Sequence, residues 1–424
     1  MPDTSLGPQG ARPMSGAVVV GLLTLLLGVQ PVTTDLYLPA LPTLQRELGA
    51  SVSAAQLTLS TLIICFGLAQ LVCGPLSDRF GRRPVLIGGL LLYTVAAIGG
   101  AASTSIGILI AWRALQGAAM AAAITCGRSI IRDLYEPHDG ARVMSRALTG
   151  LGVIAVASPL AGGLIVEAFG WQAALLSVAV FGAAALAAVA WQLEETVPAL
   201  ARDAIRPSAL VANWKEVVSN RTFRAWAALS GCTYGGLFSM LAGSSFVFIG
   251  VLGVSRAAYG LILGSMSVAY IGGTFLCRHL LLRHGLRGAV RRAAWFSLAG
   301  GVSMVGLSLA GVHTVWALLL PQYLFAIGHG IHQPCGQAGA IGPFPEKAGT
   351  AASLSGFVMT VTALAAGLWL GRMLDGTVYP LTFAVGAFSV LLALVAWTLV
   401  QWHGEPARGH GSSPTRSRRD DVTA

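Results

Sequence analysis

The 424-residue chain is 55% hydrophobic and only 10% charged, with mean hydropathy +0.72 and net charge +10. Soluble domains carry about 25% charged residues, so a soluble fold is excluded. The basic excess would suit nucleic acid, but its confinement to alternate connections between apolar runs excludes that partner.

Runs of roughly 20 apolar residues, the length that crosses a bilayer, predict twelve spans. They fall at 15–38, 54–76, 85–104, 106–130, 146–167, 171–192, 223–250, 257–281, 292–312, 314–342, 349–371 and 379–401. The expected fold is an all-α polytopic membrane protein of two six-helix bundles. The first bundle covers 14–192 and the second 223–402, with a charged cytoplasmic linker at 193–222 between them. Such a layout suits transporters whose halves are related by an axis along the membrane normal. Residues 1–13 and 403–424 are polar tails, the second read as disordered.

Of the 27 Lys and Arg, 22 lie in the tails and alternate connections of one side. Three (Arg46, Arg256, Arg372) lie on the other, and two (Arg113, Arg128) within a span. This positive-inside pattern puts both termini in the cytoplasm. The first run has only Arg12 before it and no small-residue cleavage site before Asp35, so it reads as a retained helix.

In chain order, the first chemistry-bearing residue is Asp35, near the outer end of span one. An acid this close to hydrocarbon is expensive and points to function by default; a solvated helix cap is the alternative. Tyr37 and, in span two, Gln56 join it as candidate cavity residues. Residues 74–86 follow, with Gly74, Asp78, Arg79, Gly81, Arg82, Arg83 and Pro84 in a connection too short for anything but a tight hairpin. Gly74 and Gly81 are expected to supply the backbone freedom of that turn, and Pro84 suits a first helical turn.

Span four carries Arg113, Gln116, Gly117, Met120 and Ile124 at offsets of one helix face. Arg113 pairs there with Gln116, which predicts a water-filled cavity rather than snorkelling. Burial favours a neutral acid and a nearby guanidinium favours the carboxylate. A changing Asp35–Arg113 distance would therefore change proton affinity. Arg128, Arg132 and Asp133 close the span beside the Asp78 turn, and an ion-pair lock with Asp78 and Arg82 is expected in the outward-open state. Glu167 reads as a solvated acid at the end of span five. Gly150, Gly152, Ser158, Pro159, Gly162 and Gly163 mark close helix packing in the same span.

In the second half, Tyr234 and Phe238 of span seven offer aromatic surface for a lipophilic ligand, against a lipid-facing alternative. Arg283-His284-Gly285-Leu286-Arg287 repeats the Arg, Gly and final Arg of 79–83 at the corresponding place. Span ten brings Gln322, Tyr323, His329, His332 and Gln333. The two histidines lack a third ligand, so no metal is expected, and substrate contact or polar packing remains. The six cysteines have no metal-ligand spacing and read as small buried apolar residues.

The 74–86 segment resembles the signature between helices two and three of the major facilitator superfamily. Thr34 through Pro42, Arg113 through Gly117, Arg128 through Tyr135, and Ser158 through Gly163 followed by Phe169 through Gln172 narrow the resemblance. They make the chain similar to the twelve-helix drug:proton antiporters, in particular the bicyclomycin and chloramphenicol resistance (Bcr/CflA) family. That resemblance implies export of small lipophilic drugs against inward proton flow by alternating access, with Asp35 and Arg113 as the coupling pair. It implies no cofactor beyond the proton motive force, a monomer, and the cell inner membrane. One departure is Ser158-Pro159 where the antiporter signature usually reads Gly-Pro. A proton-coupled carrier of a sugar or other metabolite is the alternative. An enzyme is not indicated: there is no His-Glu-x-x-His, no Gly-x-Ser-x-Gly and no paired intramembrane carboxylate.

Overall fold

The computed structural model describes residues 14–135, 137–197 and 207–405. The expectations for residues 1–13, for most of the 403–424 tail and for the linker charges Arg202, Asp203 and Arg206 lie outside them. Among the described residues every element is helical. Seven helices precede the linker: α1 (Gly16–Thr34), α2 (Leu41–Glu47), α3 (Val52–Phe80), α4 (Arg82–Ala101), α5 (Ile106–Leu134), α6 (Pro137–Phe169) and α7 (Trp171–Gln192). Then come α8 (Pro207–Ser219) and α9 (Arg221–Ser245), which continues as a π turn at Phe246–Val251. The rest are α10 (Arg256–Leu309), α11 (Val315–Ile341), α12 (Ala348–Met373), α13 (Tyr379–Trp397) and α14 (Leu399–His403).

Local chemistry sets many of these boundaries. Ser51 Oγ accepts from Ala54 N at 3.1 Å, and Asn220 Oδ1 accepts from Thr222 N and Phe223 N. Ser255 and Thr314 cap α10 and α11 in the same way. Each such cap is worth about 1 kcal/mol. Gly285, at φ 63°, breaks the 54-residue α10 into arms 256–284 and 286–309. With that break, and with α2, α8 and α14 set apart as short accessory helices, twelve helices of membrane-crossing length remain among the described residues.

Three boundaries depart from expectation. Span one does not reach Leu38: α1 ends at Thr34, and a turn and a short 3-10 helix (Leu38–Ala40) lead into α2. Pro39 and Pro42 have no N–H to continue the α1 ladder. The linker, expected as a polar connection, contains α8, whose Leu210, Trp214 and buried Val217 recur at helical spacing. The 74–86 segment is not a loop. It is the end of α3 and the start of α4, parted by Gly81 alone at φ 98°. Gly74, expected in the turn, is helical within α3.

The halves meet along α3 against α12 and α6 against α10. At the second contact the backbones nearly touch. A side chain on Gly163 would run into the Arg256 backbone, and one on Gly260 into the Pro159 carbonyl. Close approach of this kind replaces the missing hydrophobic driving force between membrane helices. The face bearing Asp78–Arg83 is called here the basic face, and the opposite end the far face.

Candidate substrate and proton site

Asp35 is the residue at which α1 stops. Its backbone N–H still bonds Pro31 O at 2.8 Å, and its Oδ1 accepts from Thr34 Oγ1 at 2.7 Å. The carboxyl group faces a cavity of about 150 Å³ between the halves, whose wall includes Gln30, Thr34, Tyr234, Phe238 and Leu241. A second cavity of about 570 Å³ lies between the basic face and Gln30 and Tyr234, which line both. Its size falls within the few hundred to about 1,000 Å³ of ligand pockets. At its mouth the Asp78 and Arg132 side chains are 42% and 66% exposed.

Arg113 is fully buried. Nη1 donates to Gln116 Oε1 at 2.7 Å, Nη2 donates to Thr33 O at 3.2 Å, and the guanidinium lies 4.1 Å from the centre of the Tyr37 ring. Tyr37 is held in turn by a 2.8 Å hydrogen bond with Thr58. No ion pair within 4 Å joins Arg113 to Asp35 among the described residues. The two are connected through the chain instead: Arg113 grips the carbonyl two residues before Asp35, at the point where α1 stops.

The expectation of a water-filled cavity at Arg113 is corrected by its burial. Gly117, on the same face, presses against the Leu62 backbone, so α3 and α5 close over this face. Of the eight expected cavity residues, Tyr234 and Phe238 line the cavities. Tyr37, Gln116 and Met120 are packed inside the first half. Gln56 is buried between halves, donating through Nε2 to Ala242 O. Gln322 is 1% exposed, and its Oε1 has no hydrogen-bond partner among the described residues. His329 bonds Thr233 at 2.9 Å and packs against the Tyr270 and Phe325 rings. His332 turns to Ser297 and Val290 O instead, so the two histidines do not act as one face. Met240, Phe246 and Phe248, further along the same segment, are buried.

At the basic face Arg82 is 3% exposed and pairs with Asp78 at 2.6 Å and Asp133 at 3.0 Å, with Ser77 Oγ as a further acceptor. Arg132 lies 4.0 Å from Asp133 rather than on Asp78, and Arg79 packs over Phe80. Arg83 Nη2 donates to Ala190 O at 3.0 Å. Arg132 reaches only Asp133, and Arg128 has no carboxylate within 4 Å among the described residues. Of the lock expected for the outward-open state, only the Asp78–Arg82–Asp133 part is formed here, with the larger cavity at this very face. All its partners belong to one half, so the pairing does not require the other half to approach.

Two acids were missed or undervalued from sequence. Glu195 caps α4, Oε1 accepting from Arg82 N at 2.8 Å and Oε2 from Arg83 N at 3.2 Å. It lies 113 residues from Arg82, and no local pattern announces it. Glu167, expected to be solvated, accepts from Ala257 N at 2.9 Å at the start of α10. A carboxylate suits a helix N-terminus, and this one ties the halves together at the far face. Arg256 Nε bonds Thr43 Oγ1 beside it at 3.0 Å.

Two packed bundles of six membrane helices, with a polar-walled cavity between them, define a membrane transporter. The family model described as Major Facilitator Superfamily matches residues 23–366. The chain belongs to that superfamily and is a multi-pass membrane transporter, not an enzyme. It is 29% identical over 389 residues to multidrug resistance protein D of Escherichia coli (strain K12), covering 91% of this chain and 97% of the relative. It is 26% identical to a bicyclomycin resistance protein homolog of Haemophilus influenzae, covering 90% and 95%. A crystal structure of a D-xylose-proton symporter shares the fold, with TM-score 0.71 and 16% identity over 92% of this chain and 99% of that one.

Proposed function

We propose that this chain exports small lipophilic drugs of the bicyclomycin and chloramphenicol type in exchange for protons, by alternating access across the cell inner membrane. The basic face is cytoplasmic in this reading, as the Lys and Arg asymmetry favours, and the chain works as a monomer driven by the proton motive force alone. The observation that carries the reading is Asp35. It is a lone carboxyl group on a cavity wall between the halves, at a helix end that Arg113 holds through the Thr33 carbonyl. A carboxyl there can exchange a proton with the cavity, and its charge state bears on the α1 break. Relatives matched over nearly their whole length carry drug-resistance names, which supports the drug as cargo.

The test uses everted membrane vesicles holding an imposed proton gradient. Addition of chloramphenicol or bicyclomycin is expected to dissipate the gradient with the wild-type chain and to leave it intact with Asp35→Asn. Dissipation by a sugar or metabolite panel, with none by the drugs, would replace the cargo. Drug-driven dissipation that survives in Asp35→Asn would move proton coupling elsewhere.

A further inference from the structure

Arg128 is anomalous among the basic residues of this face. It stands six residues before the end of α5, about 9 Å into the helix at 1.5 Å per residue, so the charge bias of the loops does not account for it. Its side chain is exposed on the wall of the larger cavity. Among the described residues it has no carboxylate within 4 Å and no hydrogen bond. A charge inside a membrane helix faces water, a partner or a ligand, and a cavity wall offers the first and the last.

The neighbouring charges do not neutralise it. Asp78 on the same wall is engaged by Arg82, and Lys347 is engaged by Glu216 of α8. Arg132, one turn beyond Arg128, adds a second guanidinium to the wall. The rest of the lining is rich in amides: Gln30 and Gln70 from the first half, Gln333 and Gln337 from the second. Gln333 Oε1 is buried without a partner, its Nε2 reaching only the Met359 sulfur. The apolar part is supplied by Phe66, Leu71, Trp214 and Met359.

We infer that this cavity selects amphipathic organic anions, above all aromatic carboxylates, with Arg128 as the specificity-determining residue. The inference rests on the reading that this cavity receives the cargo, and it goes beyond the uncharged drugs of that reading by adding organic anions as a preferred class. Arg128, the one cation of this cavity without a competing partner among the described residues, takes the carboxylate. The glutamines bond the polar substituents, and the apolar wall takes the ring. A lipophilic cation meets two guanidinium groups and is disfavoured. Export of an anion from a negative cell interior is also favoured by the membrane potential.

The experiment is titration calorimetry on the full chain in lipid nanodiscs at neutral pH. Two ligands of the same ring and nearly the same shape are compared: para-nitrobenzoate and para-nitrobenzamide. The carboxylate is expected to bind about tenfold more tightly, the scale of a charge-assisted hydrogen bond. That ratio is expected to fall towards one in Arg128→Gln and to recover in Arg128→Lys. Arg132→Gln, a second variant in case the first fails to fold, is expected to lower it partly. Equal or tighter binding of the amide would overturn the inference, as would a preference that persists in Arg128→Gln. Chloramphenicol and bicyclomycin are titrated alongside. Their binding without a carboxylate preference overturns the anion inference and leaves drug export in place. Carboxylate preference without any binding of the two drugs does the reverse, and no binding by any ligand overturns both.

Discussion

Arg113 carries a full charge in a site with no acid within 4 Å among the described residues. Two hydrogen-bond acceptors and one aromatic face stand in for it. That arrangement needs a planar cation: the guanidinium stacks on Tyr37 while its edge reaches Gln116 and Thr33 together, which a point-charge ammonium cannot do. Arg113→Lys is therefore expected to cost about 2 kcal/mol of stability, the scale of one lost hydrogen bond to a charged group. Thermal unfolding of the purified variant checks this; an unchanged midpoint would refute the account. The sequence allowed Arg113 to be placed on one face with Gln116, Gly117 and Met120, and the spacing was right. It could not say what that face meets. Periodicity reports which residues share a direction, while wetness depends on whether the neighbouring helix approaches, and here Gly117 lets α3 come within backbone contact.

At the scale of elements, the two glycine breaks do most to shape the basic face. Gly81 parts α3 from α4 and Gly285 parts the two arms of α10, both with positive φ. Each is followed by an arginine that bonds a carbonyl near the end of its own half: Arg83 to Ala190 O, Arg287 to Gln401 O. A five-residue string was enough to find this pair in the sequence, because a single turn imposes its requirement locally. α8 was not read from the sequence: the charges of 193–222 made the stretch a linker, although Leu210, Trp214 and Val217 recur at helical spacing. Glu195 was not legible, since capping from 113 residues away leaves no local trace. In Gly81→Ala the added Cβ would meet the Glu195 carboxylate and would also hold a strained φ. A loss of about 1–3 kcal/mol is expected from the backbone alone, read as a lowered thermal midpoint, with Gly88→Ala, inside α4 with nothing within 4 Å of the new atom, as a control expected to hold or raise the midpoint.

For the whole molecule, the larger cavity lies at one face and the seal at the other. Glu167 on Ala257, Arg256 on Thr43, and the Gly163 and Gly260 contacts join the halves at the far face. Gly260→Val drives a side chain into the Pro159 carbonyl, so it is expected to weaken the seal and shift the population towards opening there. A cysteine at Leu38, which lines the smaller cavity, in a background lacking the six native cysteines, reports on this. A membrane-impermeant maleimide applied from the far face should label it several-fold faster in Gly260→Val, and an unchanged rate would mean that this contact is not part of the seal.

Each half is also fastened by an acid supplied late. Glu195 follows the sixth membrane helix of the first half and reaches back to the start of the third, at Arg82 and Arg83. Glu405 stands just after the last helix of the second half and reaches back to Arg287 at 3.0 Å. During synthesis neither bundle can finish its own basic face until those residues have left the ribosome. The first half can be buckled shut before the second has begun to insert, while the second must wait for Glu405, which follows its last helix.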